Sequence, residues 1–251
     1  MNNSDLYEYT LRLGDTALIL GQRLSEWCGH GPVLEQDIAL TNIALDQIGQ
    51  ARQFLQYAAE LKGGDTTEDS LAYHRDAHQF RNLLLVEQDN GHWGDTLARQ
   101  FFFDTYNYFL FERLMKSSDE RISSIAQKAM KEITYHAQWS AEWIIRLGDG
   151  TEESHDKIQK SINDIWMWTG EMLEADELDL RMHEAGIGVD LTEVTALWND
   201  KVDEILKLAT LEKPESAQHQ RGGKRGVHSE KLGYVLAEMQ HIPKSYPNSK
   251  W

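Results

Sequence analysis

Four acids stand near the middle of four long segments with helical spacing: Asp15, Asp46, Asp104 and Glu132, the last followed by Tyr135 and His136. Carboxylates and imidazoles on facing helices are the donor set of a two-iron bundle site, in which two helices give one carboxylate each and two give a Glu-x-x-His pair. The three-residue step puts both ligands of a pair on one face, one turn apart. Asp15 and Asp46 lie 31 residues apart, and Asp104 and Glu132 lie 28 apart, so the carboxylate part of the pattern is present. The imidazole part is not. Gly49 stands three residues after Asp46, and Tyr135 stands three after Glu132 with His136 displaced by one position. Three of the acids are also Asp, one methylene shorter than Glu, so the expectation is no metal in this chain and a vestigial set at Asp15, Asp46, Gly49, Asp104, Glu132, Tyr135 and His136.

The elements that must position these groups follow from periodicity and breakers. Helices are expected over about 5–28, ending at "GHGP", and 34–62, ending at "GGD"; a short amphipathic piece covers 68–85. Two more run over about 95–116 and 119–147, with Asp119 as N-cap and Gly148 as stop. The remainder reads as helices over 151–183, 192–209 and 228–239, the last closed by Pro243 and Pro247, with a long Gly- and charge-rich connection before it.

Coiled-coil stepping traces the inward seam of each long helix. It passes through Leu11, Asp15, Leu18 and Gln22; Ala39, Asn42, Asp46, Gly49 and Gln53; Leu97, Phe101, Asp104, Tyr108, Phe111 and Met115; and Ile122, Ile125, Ala129, Glu132, His136, Trp139 and Trp143. Each helix thus carries one inward carboxylate. Without a metal, acids sharing a core must take up protons or find countercharges, and Arg12, Arg52, Arg99 and Lys131 lie close enough in sequence to serve.

Composition sets the class. With 251 residues, four prolines and a helix-forming residue usage, the chain reads as all-α and large enough for a substantial core. A net charge of −16 lacks the cationic footprint of a nucleic-acid binder. Neither a leader-like start nor a run of about twenty apolar residues is found, so no membrane partner and a cytoplasmic location are expected. The single cysteine, Cys28, cannot form a disulfide within one chain and is expected to be a packed thiol.

The strings "YTLRLGDTALILGQRLSEWCGHGPVLEQDIALTNIALDQIGQAR", "NLLLVEQDNGHWGDTLARQFFFD", "KEITYHAQWSAEW", "RLGDGTEES" and "GGKRGVHSEKLGYVLAEMQ" closely resemble the C-subunit family of bacterial phenylacetyl-CoA epoxidases, multicomponent ring 1,2-monooxygenases. The resemblance covers essentially the whole chain. It implies a ferritin-like four-helix core (about 5–147) with additional C-terminal helices (about 151–251), in a single domain spanning 1–251. It further implies a structural subunit with no cofactor of its own, paired with a homologous A subunit that holds the di-iron centre and the acyl-CoA. A small B subunit and a reductase complete the path from NADPH. The family pattern matches at Asp15, Asp46, Lys131, Glu132, Tyr135, His136, Gly222, Gly223, His228 and Glu230; it departs at Thr134, Gln138 and Trp139, where relatives often have Arg, which bears on any salt-bridge network carried over from them.

Two other classes compete with a scaffold. One is a carboxylate-bridged oxidase with atypical ligands including Asp46, Asp104, Glu132 and His136. The other is a binding module whose basic loop, with Arg221, Lys224, Arg225 and His228, meets a phosphate-rich ligand or a partner. Aromatic clusters such as Phe101, Phe102, Phe103, Trp166 and Trp168 supply apolar surface for a core or for a partner.

Overall fold

The computed structural model describes residues 3–216 and 218–246; Pro247, one of the two expected terminal breakers, lies outside them. The described residues are all-α with no strand, the class expected. No helix among them is long and apolar enough to cross a membrane. They divide into two compact units, one of residues up to 89 with those from 222 onward, the other of residues 90–221.

The first unit is built on α1 (Asn3–Ser25) and α2 (Leu34–Lys62). A Cβ on Gly14 would meet Leu55 and Phe54, and one on Gly21 would meet Ile48 and Ala44, so the helices run antiparallel with backbones in close approach at two glycines. The expected helix over 68–85 is only partly one. α3 (Glu68–Tyr73) starts on a Thr67 capping box, then Asp76 and Gln79 cap a 3₁₀ turn at Ala77–Gln79, and a second 3₁₀ turn follows at Leu84–Glu87. Local side-chain bonds at Asp76 outcompete helix continuation.

The second unit is built on α4 (Trp93–Leu114) and α5 (Glu120–Gly148). Asp119 caps α5 by accepting from the Ile122 amide at 2.9 Å. The expected helix over 151–183 is broken into α6 (Glu152–Trp166), α7 (Gly170–Leu173) and α8 (Glu177–Glu184). Asp176 forms a new N-cap that accepts from the Leu178 and Asp179 amides, which starts a helix where continuation was expected. α9 (Leu191–Leu208) follows. Its Trp198 donates an indole N–H to the Phe102 carbonyl at 2.9 Å and packs on Phe102 and Trp166. Phe101, Phe102, Phe103 and Trp166 are all buried, so these aromatics fill the unit's interior.

The chain closes on the first unit with α10 (Glu230–Met239), capped by Ser229, and α11 (His241–Ser245). Pro243 does not stop the helix before it. It sits in the first turn of α11, where a missing N–H costs nothing. Cys28 is exposed rather than packed, because α1 ends at Ser25 and the thiol sits in the turn beyond it.

Candidate functional site

On α1 the sequence seam holds: Leu11, Asp15 and Leu18 are buried. Asp15 is wholly shielded and is met by Arg75, whose Nη1 donates to Oδ2 at 2.9 Å and whose Nη2 donates to Oδ1; the Arg81 amide adds a third bond at 2.9 Å. Arg75 also donates to the Leu71 and Gln79 carbonyls and lies over the Phe80 ring, 4.1 Å from its centroid. The countercharge of Asp15 is therefore a residue of the irregular 74–82 stretch. None of the four expected cations fills this role.

On α2 the seam is rotated from the expected one. Asn42 and Gly49 are exposed and Asp46 is half-buried, whereas Leu40, Ile43, Gln47, Gln50 and Phe54 are buried. A Cβ on Gly49 would meet nothing within 4 Å. The buried pair at three-residue spacing is Gln47 and Gln50, and neither polar atom of the Gln47 amide finds a partner among the described residues. Asp15 is level with Phe54 and Leu55, while Asp46 is level with Gly21, a separation of roughly 8–10 Å along the axes. Several small apolar residues flank both faces of this helix, and alternating steps of three and four fit either face equally well, which is why the spacing alone chose wrongly.

In the second unit the seam holds for Leu97, Phe101, Asp104 and Phe111 on α4, and for Ile122, Ile125, Ala129, His136 and Trp139 on α5. Burial pushes the Asp104 carboxyl up to about 6, while the His136 ring, the Ser140 hydroxyl and the Arg99 guanidinium pull it back down. Ser140 donates its hydroxyl hydrogen to the His136 carbonyl at 3.0 Å, so it serves Asp104 only by rotating, and burial dominates. Gln100 Nε2 lies 3.5 Å from Asp104 Oδ1. Glu132, one turn from His136, is half-buried, and Tyr135 is exposed with its ring edge-on to His136, centroids 6.2 Å apart.

Of the expected countercharges, Arg99 is buried near Asp104 and donates to Asn90 Oδ1 at 2.7 Å. Arg52 is exposed and reaches Glu68 at 3.8 Å, Lys131 is exposed, and Arg12 is half-buried. The basic loop is largely spent on internal contacts. Arg221 is paired with Glu174, Lys224 is buried, and the His228 side chain is shielded against Glu87, leaving Arg225 exposed. The connection before it is anchored too: Trp166 Nε1 donates to the Ser216 carbonyl at 3.0 Å and the Gln220 amide to the Met167 carbonyl at 2.8 Å.

These donors do not fit a two-iron centre. Asp15 already accepts three hydrogen bonds, α2 presents amides where a carboxylate and an imidazole are needed, and among the described residues no group of three His, Cys, Asp or Glu side chains is placed to hold a metal ion. Sequence reasoning missed Arg75, Gln47, Gln50 and Glu87. For the glutamines the signal was there, since they repeat the three-residue step one position along from Asp46.

Residues 1–251 match the phenylacetic acid catabolic protein family. The chain belongs to that family. It is 50% identical over 248 residues to a protein of Escherichia coli (strain K12) named as the C component of 1,2-phenylacetyl-CoA epoxidase, a match covering 99% of this chain and 100% of that relative. Within the phenylacetic acid catabolic protein family, then, the similarity takes in the residues of both compact units.

Proposed function

We propose that this chain is a structural, non-catalytic subunit of a multicomponent 1,2-phenylacetyl-CoA epoxidase of aerobic phenylacetate catabolism, and that it pairs with and stabilises a homologous di-iron A subunit. The observation that carries the reading is the end-to-end similarity to a relative named as one component of such an enzyme. The donor geometry supports it: Asp15 is neutralised by Arg75, and the buried three-residue pair on α2 is Gln47 and Gln50. In this reading the A subunit binds the acyl-CoA and the metal, and a small B subunit and a reductase deliver electrons from NADPH in the cytoplasm. This chain's residues perform no step of oxygen chemistry. They hold a folded surface for the partner.

Co-expression with the A subunit tests this. The two chains should purify together in a fixed ratio, and epoxidation should require the A subunit while this chain alone, given reductase and NADPH, turns over no substrate. Turnover by this chain without the A subunit would replace the scaffold reading with that of an oxidase with atypical ligands.

A further inference from the structure

Alternating steps of three and four residues run along two sides of α2. One side is buried within the first unit and passes through Leu40, Ile43, Gln47, Gln50 and Phe54. The other passes through Glu35, Ile38, Asn42, Leu45, Gly49 and Arg52, all of them exposed. Ile38 is 51% exposed and Leu45 61%, so two large apolar side chains stand on the side of an amphipathic helix that is ordinarily polar. Just before them, Val33 and Leu34 are exposed as well. A Cβ on Gly49 would meet nothing within 4 Å, so no contact inside the chain calls for a glycine there, although glycine is among the least favoured residues of a helix interior. On an exposed helix face, a glycine one turn from a leucine gives a second helix room to approach closely.

This stripe is complementary to itself. When two α2 helices lie antiparallel about a two-fold axis between positions 43 and 44, Glu35 of one copy faces Arg52 of the other, Ile38 faces Gly49, and Asn42 faces Leu45. Opposite charges meet at the ends, Ile38 enters the open space over Gly49, and the two leucines lie beside the axis. Within its own chain Arg52 reaches Glu68 at 3.8 Å, beyond hydrogen-bond length, so its guanidinium can serve a neighbour. A slip of one turn either way sets Glu35 against Ile48 or Gln56 and Arg52 against Gly31 or Ala39, and the charge match is lost. Parallel pairing in register sets Glu35 beside Glu35 and leaves the space over Gly49 unfilled.

We infer that the outward face of α2 is a contact between two copies of this chain, paired antiparallel in the register that joins Glu35 to Arg52 and Ile38 to Gly49. The stripe is about 25 Å long, and one helix pair of that length buries less than the roughly 1,600 Å² of a typical stable complex, so the dimer forms and dissociates with concentration. The inference goes beyond the assignment to an epoxidase complex and does not depend on it; a partner of another kind is left to other surfaces of the chain.

Light scattering and sedimentation of the full chain alone, over about 5 to 200 μM at physiological ionic strength, test this. The mass should rise with concentration from that of one 28.9 kDa chain toward that of two. Leu45→Glu and Gly49→Gln, both at exposed positions where the folded chain has room, should each shift the midpoint at least tenfold toward higher concentration while the circular dichroism stays unchanged. The two-fold repeats every contact, so Glu35→Arg or Arg52→Glu alone creates two like-charge contacts and should weaken the dimer, and the two together should restore it. A mass of one chain throughout the range would overturn the inference, as would a dimer indifferent to Leu45→Glu and Gly49→Gln or a double charge reversal no better than the single ones. Loss of co-purification with the A subunit in Leu45→Glu, with the mass of the chain alone unaltered, would assign the face to that subunit and overturn it too.

Discussion

Replacing Arg75 by Met isolates the interaction on which the first unit's polar interior depends. Asp15 is 0% exposed, and the change removes two of its three hydrogen-bond donors, leaving only the Arg81 amide. Met keeps the length of the apolar stem but gives up the guanidinium's contact with the Phe80 ring, which adds to the loss. Stripping one partner from a buried ion pair costs about 3–5 kcal/mol, because the remaining charge stays buried. Against a typical domain stability of about 5–15 kcal/mol, Arg75→Met should be among the most damaging single changes in the unit. Removing both charges as Asp15→Leu with Arg75→Met eliminates the stranded carboxylate and should recover most of that loss, leaving the unpaired Arg81 amide at about 1–3 kcal/mol. Urea unfolding followed by circular dichroism measures the parent, Arg75→Met, Asp15→Leu and the double variant, since the midpoint converts to free energy through a common slope. A loss below about 1 kcal/mol in Arg75→Met, or a double variant as unstable as the two single changes summed, would refute the assignment of Arg75 as the neutralising group.

Asp104 gives a test with the opposite sign. Its carboxyl is raised from 3.8 to about 6, so between those values the folded chain holds more protons than the unfolded one and stability falls as pH rises, levelling off above about 6. Asp104→Asn should therefore stabilise the protein near pH 7 by on the order of 3 kcal/mol, an advantage that disappears toward pH 4; a destabilised variant at pH 7 would contradict a burial-dominated acid. Gly49→Ala, on an exposed turn of α2 with open space, should add about 0.5–1 kcal/mol, whereas Gly21→Ala, whose Cβ would lie 2.9 Å from Ile48, should cost about 1–3 kcal/mol in the same urea unfolding assay. Arg225→Glu on the exposed turn should leave stability within about 0.5 kcal/mol and co-purification with the A subunit unchanged, and a lost complex would return the basic loop to consideration as a binding surface.

Much of the fold was legible in the residues. α2 runs over the expected 34–62, and Asp119 caps α5 as its type and place suggest, because long periodic stretches between strong breakers leave few alternatives. The broken regions were harder. Asp76 and Asp176 start new turns inside segments whose apolar spacing continues through them, and a side-chain cap competes with helix propagation by a margin that periodicity does not register. The site was half legible for a related reason. On α1 and α4 a buried acid, and on α5 a buried imidazole, interrupts an otherwise apolar stripe and marks the buried face. On α2 alanines lie on several sides, so the stripe around Gln47 and Gln50 competes with the one through Asp46 and Gly49, and only the close approach of Gly14 and Gly21 selects between them. Arg75 was out of reach, since its pairing with Asp15 joins residues sixty positions apart through an irregular stretch.

Iron content, measured by inductively coupled plasma mass spectrometry on this chain purified alone from iron-supplemented cells and again after co-purification with the A subunit, tests the central claim most directly. Trace iron is expected in the isolated chain, and metal in the complex only in proportion to the A subunit. About two irons bound per isolated chain would mean a working bundle centre and would contradict the scaffold reading.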